Sequence, residues 1–132
     1  SNASTAQTVQ VLYANGKVHG FNEADLLQAA IRNHDYLLGA NPLRTSYVSG
    51  AGEDSLKNTY SQIFNNDRLE QVPPGYLSGG PNKYQGSFYS RWPAKCHRDV
   101  CSDWVTQEHC ITYNSPMVFA TAYLLDSARR RN

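Results

Sequence analysis

Apolar positions recur with helical spacing in two segments near opposite ends of the chain. The apolar face of the first segment comprises Leu27, Ala30, Ile31, His34, Leu37 and Leu38. Asn22 is a good N-cap residue ahead of this face, and Gly39 suits the left-handed position just past a helix. Pro42 then prevents continuation. The pattern predicts a helix that begins after Asn22 and ends before Gly39.

The second segment predicts a helix from about Pro116 to Ala128, with Ser115 as its cap. Its expected buried stripe is formed by Met117, Val118, Phe119, Ala122 and Leu125. The basic run at 129–131 is favourable at the negative end of a helix, and it also reads as a solvated terminus. A shorter helical stretch is expected near Val105–Ile111.

Elsewhere the chain lacks regular periodicity. Asn15-Gly16 between short apolar runs predicts a hairpin over 8–19. From Pro42 to Trp104, turn-forming Pro and Gly alternate with aromatic residues. Such a run is too long for an ordinary connection and too aromatic for disorder, so we expect long ordered loops packed on helices. Two helices provide little surface for these loops to pack against, which indicates that part of the core lies outside this chain.

The chain has 132 residues, a net charge of +1 and a pI near 7.7. This balance gives no electrostatic reason to expect nucleic acid or an anionic membrane as a partner. No apolar run approaches the roughly 20 residues of a transmembrane helix. Ser1-Asn2-Ala3 resembles a tag remnant, which leaves 4–132 as a single segment of one domain.

Three cysteines, Cys96, Cys101 and Cys110, lie close together, and an odd count excludes complete pairing within the chain. Two alternatives remain for the cysteines: a disulfide bridge between Cys96 and Cys101, or three free thiols. With His97 and His109 they also offer ligands for a structural zinc ion, although the paired C-X2-C spacing of common zinc fingers is missing. We therefore expect neither a metal nor a cofactor.

Three carboxyl groups lie near the aromatic and aliphatic residues Trp104, Ile111 and Tyr113. They are Asp99, Asp103 and Glu108. A carboxyl group held against apolar surface stays protonated more readily, which suits a general acid, and Glu108 has the most apolar neighbours in sequence. The alternative is that all three are ordinary surface acids near a helix start.

The spacing of one segment resembles the second signature of glycoside hydrolase family 9, the inverting cellulase family. The matching residues are Asp99, Trp104, Glu108 and Asn114-Ser115. His97 and Cys110 depart from this signature, which has an aromatic residue and a small residue at those places.

Three further segments resemble the same family, in family order: 35–42 (DYLLGANP), 46–52 (SYVSGAG) and 74–82 (PGYLSGGPN). The matches extend over roughly residues 25–128. The resemblance implies a mainly α fold, a fragment from the C-terminal part of an (α/α)6 toroid with long ordered loops.

The resemblance also implies that Glu108 donates a proton to the glycosidic oxygen, while Asp99 and Asp103 support the site through hydrogen bonds. An inverting mechanism needs a second carboxylate, roughly 6.5–9.5 Å away, to activate water. In this family that base comes from a paired-Asp motif near the N-terminus of the catalytic domain, and no such motif exists here. The chain alone is therefore expected to be inactive.

The family's first signature ends in His-X-Arg, and the corresponding places here hold Tyr60 and Gln62. Both side chains can bind sugar hydroxyls, but neither carries the arginine charge. This departure indicates either another sugar preference, as in exo-acting glucosaminidase (chitobiase-like) members, or a degenerate site.

Sugar rings bind to flat apolar faces and neutral hydrogen-bonding groups. The expected substrate-binding residues are therefore Trp92, Trp104, Tyr113, Tyr60, Gln62 and Asn82. The alternative for each aromatic residue is core filling. A non-catalytic carbohydrate-binding module is a further alternative, but such modules are usually all-β, and the clear elements here are helical.

The expected partners are a β-linked oligosaccharide or polysaccharide and the rest of the parent domain, and self-association of the fragment stays open. Family resemblance alone implies a secreted or periplasmic location.

Overall fold

A computed structural model describes residues 22–61, 72–84 and 89–131. Three α-helices are present there: α1 (Glu23–Leu37), the short α2 (Trp104–Gln107) and α3 (Ile111–Arg129), with a 3-10 turn at Pro93–Lys95. The described loops pair only through isolated bridges, without strands. Two compact units are formed, one from residues 22–36 and 115–131 and the other from 37–114. The predicted hairpin at 8–19 lies outside the described residues.

Helix α1 begins and ends where the sequence predicts. The side-chain oxygen of Asn22 accepts the backbone N–H of Ala24 at 2.9 Å, which satisfies one of the free N–H groups of the first turn. Leu26, Leu27 and Ala30 are buried on one face. Gly39, two residues past the helix, has a φ of 121°, which residues with a side chain rarely adopt.

Helix α3 begins earlier than predicted, at Ile111 instead of Pro116, and Pro116 lies inside it. Proline has no N–H to donate to the carbonyl of Thr112, a loss that a helix tolerates near its start. The short helix is also displaced from the expected Val105–Ile111 to Trp104–Gln107. No described helix combines the length and apolar character needed to cross a membrane.

The predicted buried stripe of α3 is largely wrong. Met117 and Ala120 are buried, but Val118, Phe119 and Leu125 are half or more exposed. Within its described residues, 22–36 and 115–131, the first compact unit has two helices, and the buried apolar residues are Leu26, Leu27, Ala30, Met117 and Ala120. A sequence pattern marks a face as apolar without telling whether this chain covers it.

The unit 37–114 is held together by backbone hydrogen bonds between its loops. Its buried apolar residues are Tyr47, Val48, Leu56, Leu77 and Cys96. The loop at 46–56 folds back on itself, and the loop at 77–82 lies beside it: the N–H of residue 78 donates to the carbonyl of residue 47 at 3.0 Å. Packed loops with an apolar centre are what the sequence predicts for this stretch.

The loop at 49–50 meets the loop at 73–76 so closely that only glycine fits. Gly50 has a φ of 67°, and a Cβ added there would lie 2.6 Å from the Cβ of Pro74. Beside it, the hydroxyl of Ser49 donates to the carbonyl of Pro73 at 2.7 Å and accepts the N–H of Tyr76 at 3.0 Å. These contacts fix the start of the loop that continues to Gly80.

Candidate active site

Glu108 has a firmly held backbone and an exposed side chain. It follows α2 in an extended conformation, with φ −67° and ψ 144°. Its N–H donates to the carbonyl of Trp104 at 3.1 Å, and its own carbonyl accepts the N–H of Gly79 at 3.2 Å. The same carbonyl accepts the hydroxyl of Tyr113. Within the described residues, no hydrogen bond reaches its carboxylate.

The expectation that apolar neighbours bury Glu108 is wrong for this chain. The side chain is exposed, and so are Trp104 and Ile111, at 54% and 85%. Glu108 thus lies on a surface that carries exposed apolar side chains.

Asp99 joins two loops through its carboxylate. Its two oxygens accept the backbone N–H groups of Lys57 and Asn58, each at 2.9 Å. The amides of Asn58 and Gln107 approach the same carboxylate at 3.4 and 3.2 Å. Gln107 is fully buried and precedes Glu108 directly, so Asp99 ties the backbone beside Glu108 to the loop at 57–58.

Asp103 is also engaged. It precedes α2, and one oxygen accepts the hydroxyl of Thr106 at 2.7 Å. The hydroxyl of Tyr89 hydrogen bonds to the same side chain, and the pKa of Tyr89 is raised by desolvation and then by the negative charge of Asp103. Asp103 therefore anchors the first turn of α2.

Tyr60 lies directly beside Glu108. Its N–H donates to the carbonyl of Gln107 at 3.0 Å, and the two residues form a parallel bridge. Paired residues on adjacent extended segments direct their side chains to the same face. The structure thus places the backbone of Tyr60 next to that of Glu108, whereas Gln62 lies outside the described residues.

Tyr113 and Asn114 are partly exposed, and their polar side-chain groups bind the backbone. The Tyr113 hydroxyl is used by the Glu108 carbonyl, and desolvation, followed by the nearby Cys110 thiol and Glu108, raises the pKa of Tyr113 to about 12. The Asn114 amide binds both backbone groups of Leu77, at 2.8 and 2.9 Å. Sequence reasoning matched Asn114 to a motif but assigned it no role, because Leu77 is 37 residues away.

The remaining expected sugar contacts differ in their availability. The Trp92 indole is 57% exposed, with the guanidinium of Arg91 4.8 Å from its ring centroid. Asn82, in contrast, is engaged in its own loop. Its side-chain oxygen accepts the N–H of Tyr84 at 3.0 Å, and its N–H donates to the carbonyl of Cys96. The side chains of Trp92 and Trp104 are thus largely exposed, while Asn82 shapes a turn.

Two histidines of the site region differ in how their ring nitrogens are satisfied. His97 is buried with its ring 5.3 Å from that of Tyr47, and its Nε2 has no hydrogen-bond partner in the described structure. His109 contacts the Thr59 hydroxyl at 2.8 Å and the Leu77 carbonyl at 3.4 Å. Burial lowers the pKa of both histidines, against opposing contributions from nearby carboxylates and, for His109, from its backbone hydrogen bond.

These lowered pKa values predict acid sensitivity. Below the ordinary histidine pKa of 6.5, the unfolded chain binds protons more readily than the folded protein does. The free energy of unfolding therefore keeps its full value above about pH 6.5 and decreases as the pH falls below it. We expect His97→Phe to reduce the loss of Tm between pH 7 and pH 5 by about 2–4 °C. Thermal unfolding of the purified protein across this range measures the effect.

His109→Phe is the contrasting variant for that test. It also removes a histidine of lowered pKa, but it breaks the hydrogen bonds to Thr59 and Leu77, so its Tm should fall even at pH 8. An unchanged acid slope in His97→Phe would show that burial of this imidazole does not control the pH dependence.

The cysteines are free: Cys96 is buried, Cys101 is exposed and Cys110 is partly exposed. The Cys96 thiol donates to the carbonyls of Ser90 and Trp92. Of the two open alternatives, the structure therefore has three free thiols and no bridge. Among the described residues, no three His, Cys, Asp or Glu side chains are grouped so that they can hold a metal ion.

Comparison with known proteins identifies one family. The model of glycosyl hydrolase family 9 matches residues 1–121. Among curated proteins, the chain is 34% identical over 99 residues to a cellulose 1,4-beta-cellobiosidase of Acetivibrio thermocellus, in an alignment that covers 67% of the chain and 11% of that protein. It is 36% identical over 104 residues to the xyloglucan-specific endo-beta-1,4-glucanase BoGH9A of Bacteroides ovatus, with coverage of 76% and 18%.

Solved structures show the same likeness. A Bacteroides ovatus GH9 structure aligns with a TM-score of 0.73 at 27% identity, covering 92% of the chain and 20% of that structure. AaCel9A in complex with cellobiose-like isofagomine aligns with a TM-score of 0.72 at 28% identity, with coverage of 93% and 25%. The chain thus spans a quarter or less of the length of each of these four proteins.

Proposed function

This chain belongs to glycosyl hydrolase family 9, and from that premise we propose that it is the C-terminal, acid-bearing part of an inverting enzyme that hydrolyses β-linked glucans of the cellulose type. The fold is mainly α and forms a fragment of the family's (α/α)6 architecture. The exposed apolar side chains of α3, such as Val118 and Leu125, agree with a piece that packs against the rest of a larger domain.

We assign Glu108 as the general acid because its carboxyl group makes no hydrogen bond to a described residue. The carboxylate of Asp99 is used by backbone and side-chain amides, and that of Asp103 by two hydroxyls. Glu108 alone of the three combines a fixed backbone with a carboxyl group that no described residue binds. A proton donor must reach the glycosidic oxygen without first breaking other hydrogen bonds. This contrast between engaged and free carboxylates carries the proposal.

The second carboxylate of the reaction is expected to come from another part of the parent domain. In an inverting enzyme a base activates water on the opposite face of the sugar, roughly 6.5–9.5 Å from the acid. Neither Asp99 nor Asp103 is free for that task, since both serve the local structure. Glu108 cannot hydrolyse the bond without the catalytic base that activates water, so the chain alone should lack activity.

The substrate class rests on the relatives and on exposed rings. Similar proteins carry the names cellobiosidase, cellodextrinase and xyloglucan-specific glucanase, which all refer to β-linked glucans. Trp92 and Trp104 are exposed aromatic residues of the kind on which pyranose rings stack. Because polymers of this kind do not enter cells, we place the parent protein outside the cytoplasm.

Tyr60 favours a second candidate substrate. It lies beside Glu108 at a place where the family resemblance expects a His-X-Arg element. A phenol supplies a neutral hydrogen bond without the arginine charge, which suits an exo-acting glucosaminidase of the chitobiase-like kind. Glucosamine oligomers are therefore the appropriate competing substrate.

The test is to follow hydrolysis of cellotetraose by the full-length parent protein with proton NMR. An inverting enzyme acting on β linkages releases the α-anomer first, and the β-anomer appears later by mutarotation. The isolated chain serves as the control without the base and should release no sugar. Initial release of the β-anomer would contradict the inverting mechanism, and turnover of glucosamine oligomers alone would favour the second candidate.

A further inference from the structure

The first turn of α3 carries a side chain that makes three hydrogen bonds, two to a distant loop and one to the residue just before the helix. The Asn114 oxygen accepts the N–H of Leu77 at 2.8 Å, and its amide donates to the carbonyl of Leu77 at 2.9 Å. The same amide donates to the carbonyl of Cys110 at 3.0 Å. Asn114 thereby pairs with Leu77 as a neighbouring strand would, and fixes this residue in position and in rotation.

From Leu77 the fixed segment runs directly to the backbone of Glu108. Ser78 pairs with His109 in an antiparallel bridge. The N–H of Gly79 then donates to the carbonyl of Glu108 at 3.2 Å, and a Cβ at Gly79 would lie 3.1 Å from the carbonyl of Val105. The loop therefore lies against both α2 and Glu108, the residue that follows it, so closely that the loop cannot shift along them.

Tyr113 contributes to the same arrangement from the preceding position. Its hydroxyl donates to the carbonyl of Glu108, the group that also accepts Gly79. Two neighbouring residues of α3 thus hold Glu108, one directly and one through the loop at 77–79. We propose that Tyr113 and Asn114 are positioning residues that set the direction of the Glu108 carboxyl group toward the leaving oxygen; this inference rests on the proposed function.

The chemistry of Asn114 explains why a carboxamide is needed. The site requires one acceptor for the Leu77 N–H and two donations to the carbonyls of Leu77 and Cys110. Aspartate has the same shape but only accepts hydrogen bonds, so it would place a negative oxygen against two carbonyl oxygens. Asn114→Asp therefore displaces the loop with almost no change in side-chain volume.

The test compares two substrates in the full-length parent protein, with variants Asn114→Asp and Tyr113→Phe. One substrate is cellotetraose, whose alcohol leaving group needs a proton, and the other is a dinitrophenyl cellobioside, whose phenolate leaves without one. A misdirected acid slows only the first reaction. We expect kcat on cellotetraose to fall about 10- to 100-fold with little change in KM, and the dinitrophenyl substrate to be cleaved at nearly the wild-type rate.

Asn41→Asp is the matched control. The Asn41 amide also bonds backbone groups, the carbonyl of Thr45 at 2.8 Å and the N–H of Leu43 at 3.0 Å, but it makes none of the contacts that hold Glu108. Its kinetics should show no dependence on the leaving group. Thermal unfolding verifies that each variant is folded, and if Asn114→Asp is not, the milder Tyr113→Phe decides the question.

Equal losses on both substrates, or wild-type rates on both, would overturn the positioning roles. Glu108→Gln separates this failure from a failure of the proposed function. If Glu108→Gln is selective for the leaving group and the positioning variants are not, only the present inference is wrong. If Glu108→Gln itself lacks that selectivity, the assignment of the acid fails.

Discussion

Glu108→Gln in the full-length protein is expected to lower kcat on cellotetraose by about 100- to 10,000-fold. Glutamine keeps the size and polarity of the side chain but has no proton to transfer to the leaving oxygen. The exposed side chain makes no described hydrogen bond, so the folded structure should not change and KM should stay within a small factor. Initial rates on cellotetraose measure the effect.

Glu53→Gln is a suitable control for this variant. Glu53 is an exposed acid of the same unit, in the loop at 46–56, and its neutralisation changes the net charge by the same amount. It should hydrolyse cellotetraose at the wild-type rate. Turnover by Glu108→Gln at the wild-type rate would remove Glu108 from the mechanism, whatever the likeness to the family.

Asp99→Ala is expected to cause the largest structural loss, at the loop that its carboxylate holds. The backbone N–H groups of Lys57 and Asn58 would lose their acceptor, and the amides of Asn58 and Gln107 would lose a partner. Hydrogen bonds to a charged group contribute about 1.5–3 kcal/mol each, and the exposure of residues 57 and 58 reduces this figure. We expect Asp99→Ala to lower the local free energy of unfolding at this loop by about 3 kcal/mol in total.

Hydrogen–deuterium exchange is the direct measurement for Asp99→Ala. A loss of about 3 kcal/mol in local stability corresponds to exchange about 100-fold faster at the amides of Lys57 and Asn58. Asp54→Ala is the control, because its described side-chain contact is the hydroxyl of Thr45 at 3.2 Å. Exchange in Asp99→Ala that remains as slow as in the wild type would show that the loop is held by other contacts.

The parts of this fold that depend on local chemistry are predictable from the sequence. Asn22 begins α1 because a side-chain oxygen can satisfy a free N–H two residues away. Gly39 follows that helix because its backbone has a positive φ. Both signals lie within a few residues of the structure that they specify.

The extent and burial of α3 are less predictable. Pro116 is typical of a first turn, yet the helix begins five residues earlier, where hydrogen bonds of Tyr113 and Asn114 to other residues of the unit 37–114 stabilise the additional turn. The exposure of Val118 and Leu125 depends on what else is present to cover them. Neither property is encoded in a short window of sequence.

The candidate site shows the same division. Motif spacing singles out Glu108, but the roles of Asp99 and Asn114 depend on partners 41 and 37 residues away. Sequence proximity placed Glu108 among apolar neighbours, whereas the structure leaves it exposed. Only the three-dimensional pairing shows which carboxylates are engaged and which one is free.

The described hydrogen bonds that fix the Glu108 backbone come from one contiguous stretch, residues 37–114. The contacts that position Glu108, the proposed acid, are therefore contained within this one stretch of sequence. Recombination between related genes that exchanges other sequences but keeps 37–114 together would leave the described support of Glu108, the proposed acid, unbroken. We expect a chimera that keeps 37–114 together to retain the backbone position of Glu108, and a crossover between Gly79 and Glu108 to separate the two halves of its support.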